Sequence, residues 1–363
     1  MPVAERTIAY YITPHGFGHA VRSLEVIRHL LAASKDVRVI VVSDIPHFLV
    51  AENAGTEVIV RRRRLDVGLV QEDSLRFDVE ASLAALEDLF RNRSRLIQEE
   101  VEFLRRERVT TVVSDVAYLP FFAASQLGIP SIGLGNFSWD WVYEHFARKD
   151  PRWKPFVKWI REGYALCGLF LQLPMHCDCS VFPKRLEVPL VARKSRRSRR
   201  ECKKALGLNE SATVHLIAFA QLEFSPEAQE RIGRMDHSAF LFKKPLRLSI
   251  PNGINLDRLP VSYPEAIAAA DTVITKPGYG IAADCLANGI PMIYTDRGDF
   301  PEVPYLVEAM ERHLPTVYIP LNDFLLGRWE TALKRLQEEP RRLPALPADG
   351  AAVCAQVISS FPS

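Results

Sequence analysis

Short apolar runs alternate with longer amphipathic stretches along most of this chain. Thr7–Ile12 (TIAYYI) is the first run, and Ala20, Leu24, Ile27, Leu30 and Leu31 follow it at helical spacing. Val37–Val42 and Glu57–Val60 are the next strand candidates. Residues 79–106 predict one or two long helices, Thr110–Ser114 a strand, the stretch up to Leu127 a helix, and the residues around Ile132 another strand. Strand, helix and strand in repetition predict a mostly parallel sheet with helices on both faces. The pattern restarts after residue 205, with strand candidates at Val214–Phe219, Ala239–Phe242, Thr272–Thr275, Met292–Tyr294 and Val317–Ile319. The expected fold is α/β, with two doubly wound, Rossmann-like halves at residues 1–192 and 193–363. The last helix is free to pack back on the first half. No short repeat of solenoid type is present.

Composition narrows the function classes. Of 363 residues, 48% are hydrophobic and 25% charged, which is ordinary for a globular chain and excludes a disordered one. Lys+Arg 46 against Asp+Glu 44 leaves +2, which gives no case for a nucleic-acid partner. No apolar run reaches 18 residues, so no transmembrane segment is expected. The start, MPVAERTIAYYI, lacks the charged and apolar regions of a secretion signal. Six cysteines, at 167, 177, 179, 202, 285 and 354, are too sparse for a disulfide framework and suit a reduced, cytoplasmic protein. His176–Cys179 (HCDC) has no matching ligand pair at zinc spacing, so no metal and no cofactor is expected. The basic run Arg193–Lys204 reads either as an anion or peripheral membrane contact or as a solvated linker entering an exposed helix. Arg61–Arg64 reads either as a crevice rim or as a charged sheet edge.

Open α/β sheets bind ligands outside the carboxyl ends of their strands, so the loops after each strand carry the candidate chemistry. Two such halves facing one another would make an interdomain cleft. The first loop, Thr13–Arg22 (TPHGFGHAVR), opens a helix whose free N–H groups favour negative charge, with Gly16 and Gly18 permitting close main-chain approach. His19 sits in the first helical turn, where an imidazole can accept a proton near neutral pH; its alternative role is to cap that turn. Asp115, just past Thr110–Val113, can orient such an imidazole, or else cap the helix starting near Pro120. In Gly135–His145 (GNFSWDWVYEH) the aromatic rings, Trp139 among them, offer platforms for a sugar or apolar acceptor, with Asn136 and Asp140 for hydroxyls; the alternative is a helix burying those rings. In the second half, Lys276 and the amides of Gly278, Tyr279 and Gly280 read either as a phosphate-sized site ahead of a helix that Gly289 stops or as a plain glycine turn with an exposed lysine. Asp284 lies one turn on, able to face a ribose. Asp299 and Glu302 bring carboxylates suited to sugar hydroxyls.

These loops resemble those of the GT-B nucleotide-sugar glycosyltransferases, and in particular the N-terminal, glycosyltransferase-like region of plant L-arabinokinases. The stretches that carry the resemblance are HGFGHAVR (15–22), VVSDVAYLP (112–120), NFSWDWVYEHF (136–146), LEVPLVARKSRRSRRECKKALGL (186–208) and KPGYG (276–280), with PYL (304–306) and LLGRWE (325–330). The resemblance implies an acceptor-side first half, a donor-side second half, transfer from a nucleotide sugar (uridine by default) to a hydroxyl acceptor, and inversion without a metal. It implies that His19 is the base with Asp115 behind it. It also implies that the glycine turn near 278 meets the diphosphate, with Asp284 standing where Glu is commoner. Three features depart from the pattern: Phe219–Glu223 (FAQLE) lacks glycine, Ile281 replaces Thr, and Asp299 precedes Phe300 where Gln is usual. Ala220 and Ile281 remove a close backbone approach and a hydroxyl donor. Two other readings share the fold: a non-catalytic nucleotide-sugar sensor, and a sugar-nucleotide epimerase.

Overall fold

Six of the seven residues of β1 (Arg6–Ile12) are buried, the signature of a parallel strand covered on both faces. The computed structural model describes residues 6–34, 36–55, 58–338 and 346–362. The first five residues, and Glu57 at the head of one expected strand, lie outside that set. The chain divides into two compact units: residues 1–70, 78–191 and 348–363 form one, and 71–77 with 192–347 the other.

In the first unit β1 is followed by β2 (Val37–Ser43) and β3 (Ile59–Arg62). Two-residue strands β4 (Val70–Gln71) and β5 (Phe77–Asp78) come next in the chain. Then follow β6 (Thr111–Asp115), β7 (Ser131–Gly135), β8 (Leu169–Gln172) and β9 (Arg185–Glu187). The seven-stranded sheet has the order β3-β2-β1-β6-β7-β8-β9, with every pair parallel. β1 pairs with β2 on one side and β6 on the other, so the loops after β1 and β6 leave in opposite directions. That divergence is a topological switch point, where open α/β sheets form a crevice. The register sets Ile12 beside Asp115 at this point.

Residues 79–106 form two helices, Val79–Arg91 and Arg93–Arg106, with Asn92 between them. The helix Gly350–Ser360 packs on the helix Phe17–Ala33, and the Arg6 guanidinium donates to the carbonyls of Ser359 in its last turn and Phe361 just past it.

The second unit contains β10 (Thr213–Ala218), β11 (Ser238–Phe242), β12 (Gly253–Asn255), β13 (Thr272–Thr275), β14 (Met292–Tyr294) and β15 (Thr316–Tyr318). Their order is β12-β11-β10-β13-β14-β15, again all parallel. The switch point falls between β10 and β13, where Ala218 stands beside Thr275. One face is filled by Ile217, Phe240, Ile274, Ile293, Phe324 and Trp329.

The basic run 193–204 is ion-paired over most of its length. Arg197 meets Glu265, Arg199 meets Asp271, Arg200 meets Glu210, and the Lys203 ammonium donates to the carbonyls of Glu210 and Ala212. Arg61 and Arg62 on edge strand β3 pair with Glu100 and Asp44. Arg61 and Arg62 lie on a charged sheet edge, whereas the 193–204 run mixes exposed arginines with the buried Lys203. Among the described residues no helix is long and apolar enough to cross a membrane.

Candidate functional site

Gly16, at φ 77°, turns the chain from β1 into the helix Phe17–Ala33, a backbone angle that side-chain-bearing residues rarely adopt. Gly18 lies within the first turn. His19, Arg22 and Ser23 share one face of this helix by their spacing of three and four. All three reach Asp115, the last residue of β6. His19 Nδ1 lies 2.8 Å from Asp115 Oδ1. Arg22 donates from Nη2 to Oδ1 at 2.6 Å and from Nε to Oδ2 at 2.7 Å, and Ser23 Oγ donates to Oδ2 at 2.7 Å. Burial alone would raise the Asp115 carboxyl, but the charges and hydrogen bonds of Arg22 and His19 outweigh it and hold the group well below the usual carboxylate range. The helix Leu119–Leu127 has its N-cap at Tyr118, so Asp115 is not its cap.

The neighbouring aromatic segment departs from the expected open platform. Trp139 is wholly buried, stacked on Tyr143 at 5.5 Å and edge-on to His15 at 5.1 Å. Its indole N–H donates to Asp66 at 3.0 Å. Phe137 and Tyr143 are buried too, because the helix Trp139–Ala147 turns this face inward. Asn136 is also fully buried, and its Oδ1 accepts from Arg22 Nη1 at 2.7 Å. Its place is therefore behind Arg22 rather than in front of an acceptor. Asp140 accepts from Arg161 at 3.0 Å, and burial raises its carboxyl against the opposing bonds from Ser138 and Arg161.

Sequence reasoning missed Arg22, Ser23 and Asp66. The helical spacing from His19 was a usable signal for the first two. Asp66 had none, since its partners are distant in the chain. Burial pushes the Asp66 carboxyl up to about 6, against hydrogen bonds from Thr13 and Trp139.

In the second unit Gly278 is the N-cap of the helix Tyr279–Asn288, and Gly289 ends it at φ 65°. Lys276 is half-buried just beyond β13, and its ammonium donates to the Ser74 carbonyl. Burial pushes this amine down to about 7, with the Arg297 charge acting in the same direction and Asp73 against it. Arg297 braces the turn by donating to the Pro277 carbonyl at 3.0 Å and to Glu302 at 3.1 Å. Asp299 is exposed, whereas Glu302 is buried on Arg297, so the two expected sugar carboxylates have different surroundings. Tyr279 is buried at the helix start.

Asp284 also departs from expectation. It is buried and accepts from the Arg193 main-chain N–H at 2.8 Å, from Nε at 3.1 Å and from Nη2 at 2.6 Å. A helix residue one turn past Gly280 meets the incoming chain at Arg193, which engages the carboxylate a ribose would need. Among the described residues no group of three or more His, Cys, Asp or Glu is placed to hold a metal ion.

Two doubly wound parallel sheets in one chain are the arrangement of the GT-B glycosyltransferase fold. The chain is similar over its whole length to solved glycosyltransferases. The glycotransferase of kitacinnamycin is 18% identical, with TM-score 0.63 and coverage of 97% of this chain and 95% of that one. The glycosyltransferase VinC in complex with dTDP is 14% identical, with TM-score 0.59 and coverage of 98% and 96%. Phytolacca americana UGT2, complexed with UDP-2fluoro-glucose and pterostilbene, is 12% identical, with TM-score 0.60 and coverage of 98% and 94%. In sequence the chain is similar to L-arabinokinase of Arabidopsis thaliana, 34% identical over 331 residues. That match takes in 90% of this chain and spans about a third of the relative's length, 32%. No protein-family model matches.

Proposed function

We propose that the protein transfers a sugar from a nucleoside-diphosphate sugar to an acceptor hydroxyl, with inversion at the anomeric carbon. The observation that carries this reading is the 2.8 Å contact between His19 Nδ1 and Asp115 at the carboxyl ends of β1 and β6. With Nδ1–H donated to the carboxylate, Nε2 is the nitrogen that takes the acceptor's proton. The acceptor oxygen forms its bond to the anomeric carbon as the bond to the diphosphate breaks, and the electron pair leaves with the phosphate. Asp115 holds the ring in one tautomer and offsets the charge that His19 gains.

In this reading the first unit supplies the base and the second binds the donor. Lys276, Arg297 and the main-chain N–H groups after Gly278 provide the positive field for the departing diphosphate. A uridine or thymidine diphosphate is the donor carrier, in keeping with the dTDP complex of VinC and the UDP-2fluoro-glucose complex of the Phytolacca protein. All six cysteines are free and buried, which suits a reducing cytoplasm.

The test has two stages. A thermal-shift panel of nucleoside diphosphates and their sugars identifies the donor, since a ligand of the native state raises its stability. His19→Ala is then expected to lower turnover by ~100-fold or more while nucleotide binding stays near wild type. Normal turnover in His19→Ala removes the base. Nucleotide binding with neither transfer nor hydrolysis in the wild type marks a sensor, and NMR of the anomeric and ring protons reveals an epimerase.

A further inference from the structure

The loop after β10, Phe219–Glu223, carries no glycine, yet it stands at the switch point where a phosphate would be met. The second unit contains a seven-residue segment that fills this place from elsewhere in the chain, residues 71–77. Ser74 is buried and bonded to two of the strand-end loops. Its N–H donates to the Gln221 carbonyl at 2.9 Å, and its hydroxyl accepts from the Gln221 N–H at 2.8 Å. Its carbonyl accepts from the Lys276 ammonium. Leu75 is buried in the apolar core with Ile217, Phe219 and Leu222. Phe77 meets the third loop: its ring lies 6.4 Å from that of Phe300, and a Cβ on Gly298 would come within 3.1 Å of it. Asp73 accepts from the N–H groups of Leu75 and Arg76 and fixes the turn between them.

We propose that residues 71–77 complete the anion site of the second unit: Ser74 is the positioning residue that holds Lys276 beside the glycine turn, in place of a glycine-rich loop after β10. The proposal deepens the donor reading above and rests on it. Its ligand class is a nucleoside diphosphate, or any diphosphate group. The segment acts in two ways. Leu75 anchors it in the core, so it is a fixed wall. The Ser74 carbonyl draws the ammonium toward that wall and away from water, where an arriving phosphate gains more from it than from a hydrated lysine. The low-lying titration of Lys276 agrees with that dehydration.

The test uses the full chain with four forms: wild type, Leu75→Ala, Ser74→Ala and Ser74→Thr. Two readouts are taken. Calorimetry measures affinity for uridine diphosphate and for inorganic pyrophosphate. Acetic anhydride labelling of Lys276, followed by mass spectrometry across pH, measures the titration of the amine without any nucleotide. Leu75→Ala is expected to weaken both ligands about 10-fold, equivalent to 1.4 kcal/mol, and to move the labelling midpoint upward toward an ordinary lysine. Ser74→Ala, which disturbs folding least, moves both in the same direction by less. Ser74→Thr keeps the hydroxyl and restores both. Wild-type affinity and labelling in Leu75→Ala and Ser74→Ala overturn the inference and leave the donor reading intact. A wild-type Lys276 that labels like a surface lysine overturns it as well. If neither probe binds the wild type, the donor reading and the inference fall together.

Discussion

Arg22 Nη2 stands 2.9 Å from His19 Nδ1 while donating to the same oxygen, Asp115 Oδ1, that His19 reaches. The carboxylate is thus shared between two groups, one of them permanently charged. A guanidinium this close opposes protonation of the imidazole, and Asp115 favours it. Arg22 therefore sets how basic His19 is as well as holding Asp115 in place. Arg22→Met removes the charge and keeps much of the length. The acid limb of the pH–rate profile is expected to move to higher pH, because losing a neighbouring cation raises a histidine's pKa. The substitution should also destabilise the first unit by about 3–5 kcal/mol, the usual cost of leaving a buried charge without its partner. Urea unfolding at pH 7 measures the second effect. A limb that moves to lower pH contradicts the assigned role.

Asp115→Asn tests whether His19 and Asp115 act as one unit. The amide preserves the size of the side chain but cannot hold the imidazole in the required tautomer or offset its charge. Turnover is expected to fall by about 100-fold or more. In the double variant with His19→Ala the loss should be no larger than in His19→Ala alone, because groups acting together are not additive. Multiplied losses would mean that Asp115 acts independently of the ring.

The His19–Asp115 pair was legible in the sequence because both residues follow contiguous apolar runs. Runs of this kind are what the central strands of a parallel sheet require, so β1 and β6 and their carboxyl ends could be placed directly. β9 and β12 could not: Arg185–Glu187 is exposed throughout and Gly253–Asn255 half-buried, so neither shows an apolar run. β8 (Leu169–Gln172) is an apolar run as short as β13, and it went unassigned because it follows directly on a helix and a turn, with no polar stretch to set it apart. The aromatic segment was visible, but a one-dimensional pattern does not say which faces of Phe137, Trp139 and Tyr143 are covered. Ser74 was out of reach for another reason. Its partners Gln221 and Lys276 lie 147 and 202 residues away, and nothing local marks a serine in a turn as their support.

Lys276 predicts a pH dependence for donor binding. Burial and the Arg297 charge push its amine down to about 7, with Asp73 acting against them. A bound diphosphate favours the charged form, so binding above pH 7 takes up a proton. The affinity for uridine diphosphate is therefore expected to fall about fivefold between pH 7 and pH 8, as the protonated fraction drops. The ligand's own phosphate is already ionised above about pH 6 and does not offset the trend. Calorimetry in buffers of different ionisation enthalpy counts the proton directly. Lys276→Met should bind more weakly with an affinity that is flat over this interval, and a wild-type affinity that is equally flat refutes the assignment.

His215 predicts an acid sensitivity of the second unit that sets in above the range where its lowered carboxylates act. It sits on β10, 1% exposed, with its ring 5.2 Å from that of Phe240. Neither ring nitrogen has a hydrogen-bond partner among the described residues. Burial pushes the imidazole down to about 4, and only Asp271 opposes the shift. The folded-state pKa is thus below the unfolded value of about 6.5, so between those limits the unfolded chain binds more protons. Stability is complete above pH 6.5 and declines as pH falls toward 4, by about 3 kcal/mol over the interval. Asp66 in the first unit has the opposite sign in nearly the same window. Its carboxyl is raised to about 6, so its protonated form favours the fold and that contribution is lost as pH rises through 6. Asp115 acts lower still, because its depressed carboxyl gives up its stabilisation only below the ordinary carboxylate range. A whole-protein stability curve therefore mixes opposing slopes, and single variants must separate them. The difference between wild type and His215→Leu, measured by urea unfolding from pH 7 to pH 4, should shift steadily in favour of the leucine variant as pH falls. Parallel curves would mean that water or a rearranged neighbour already satisfies the ring.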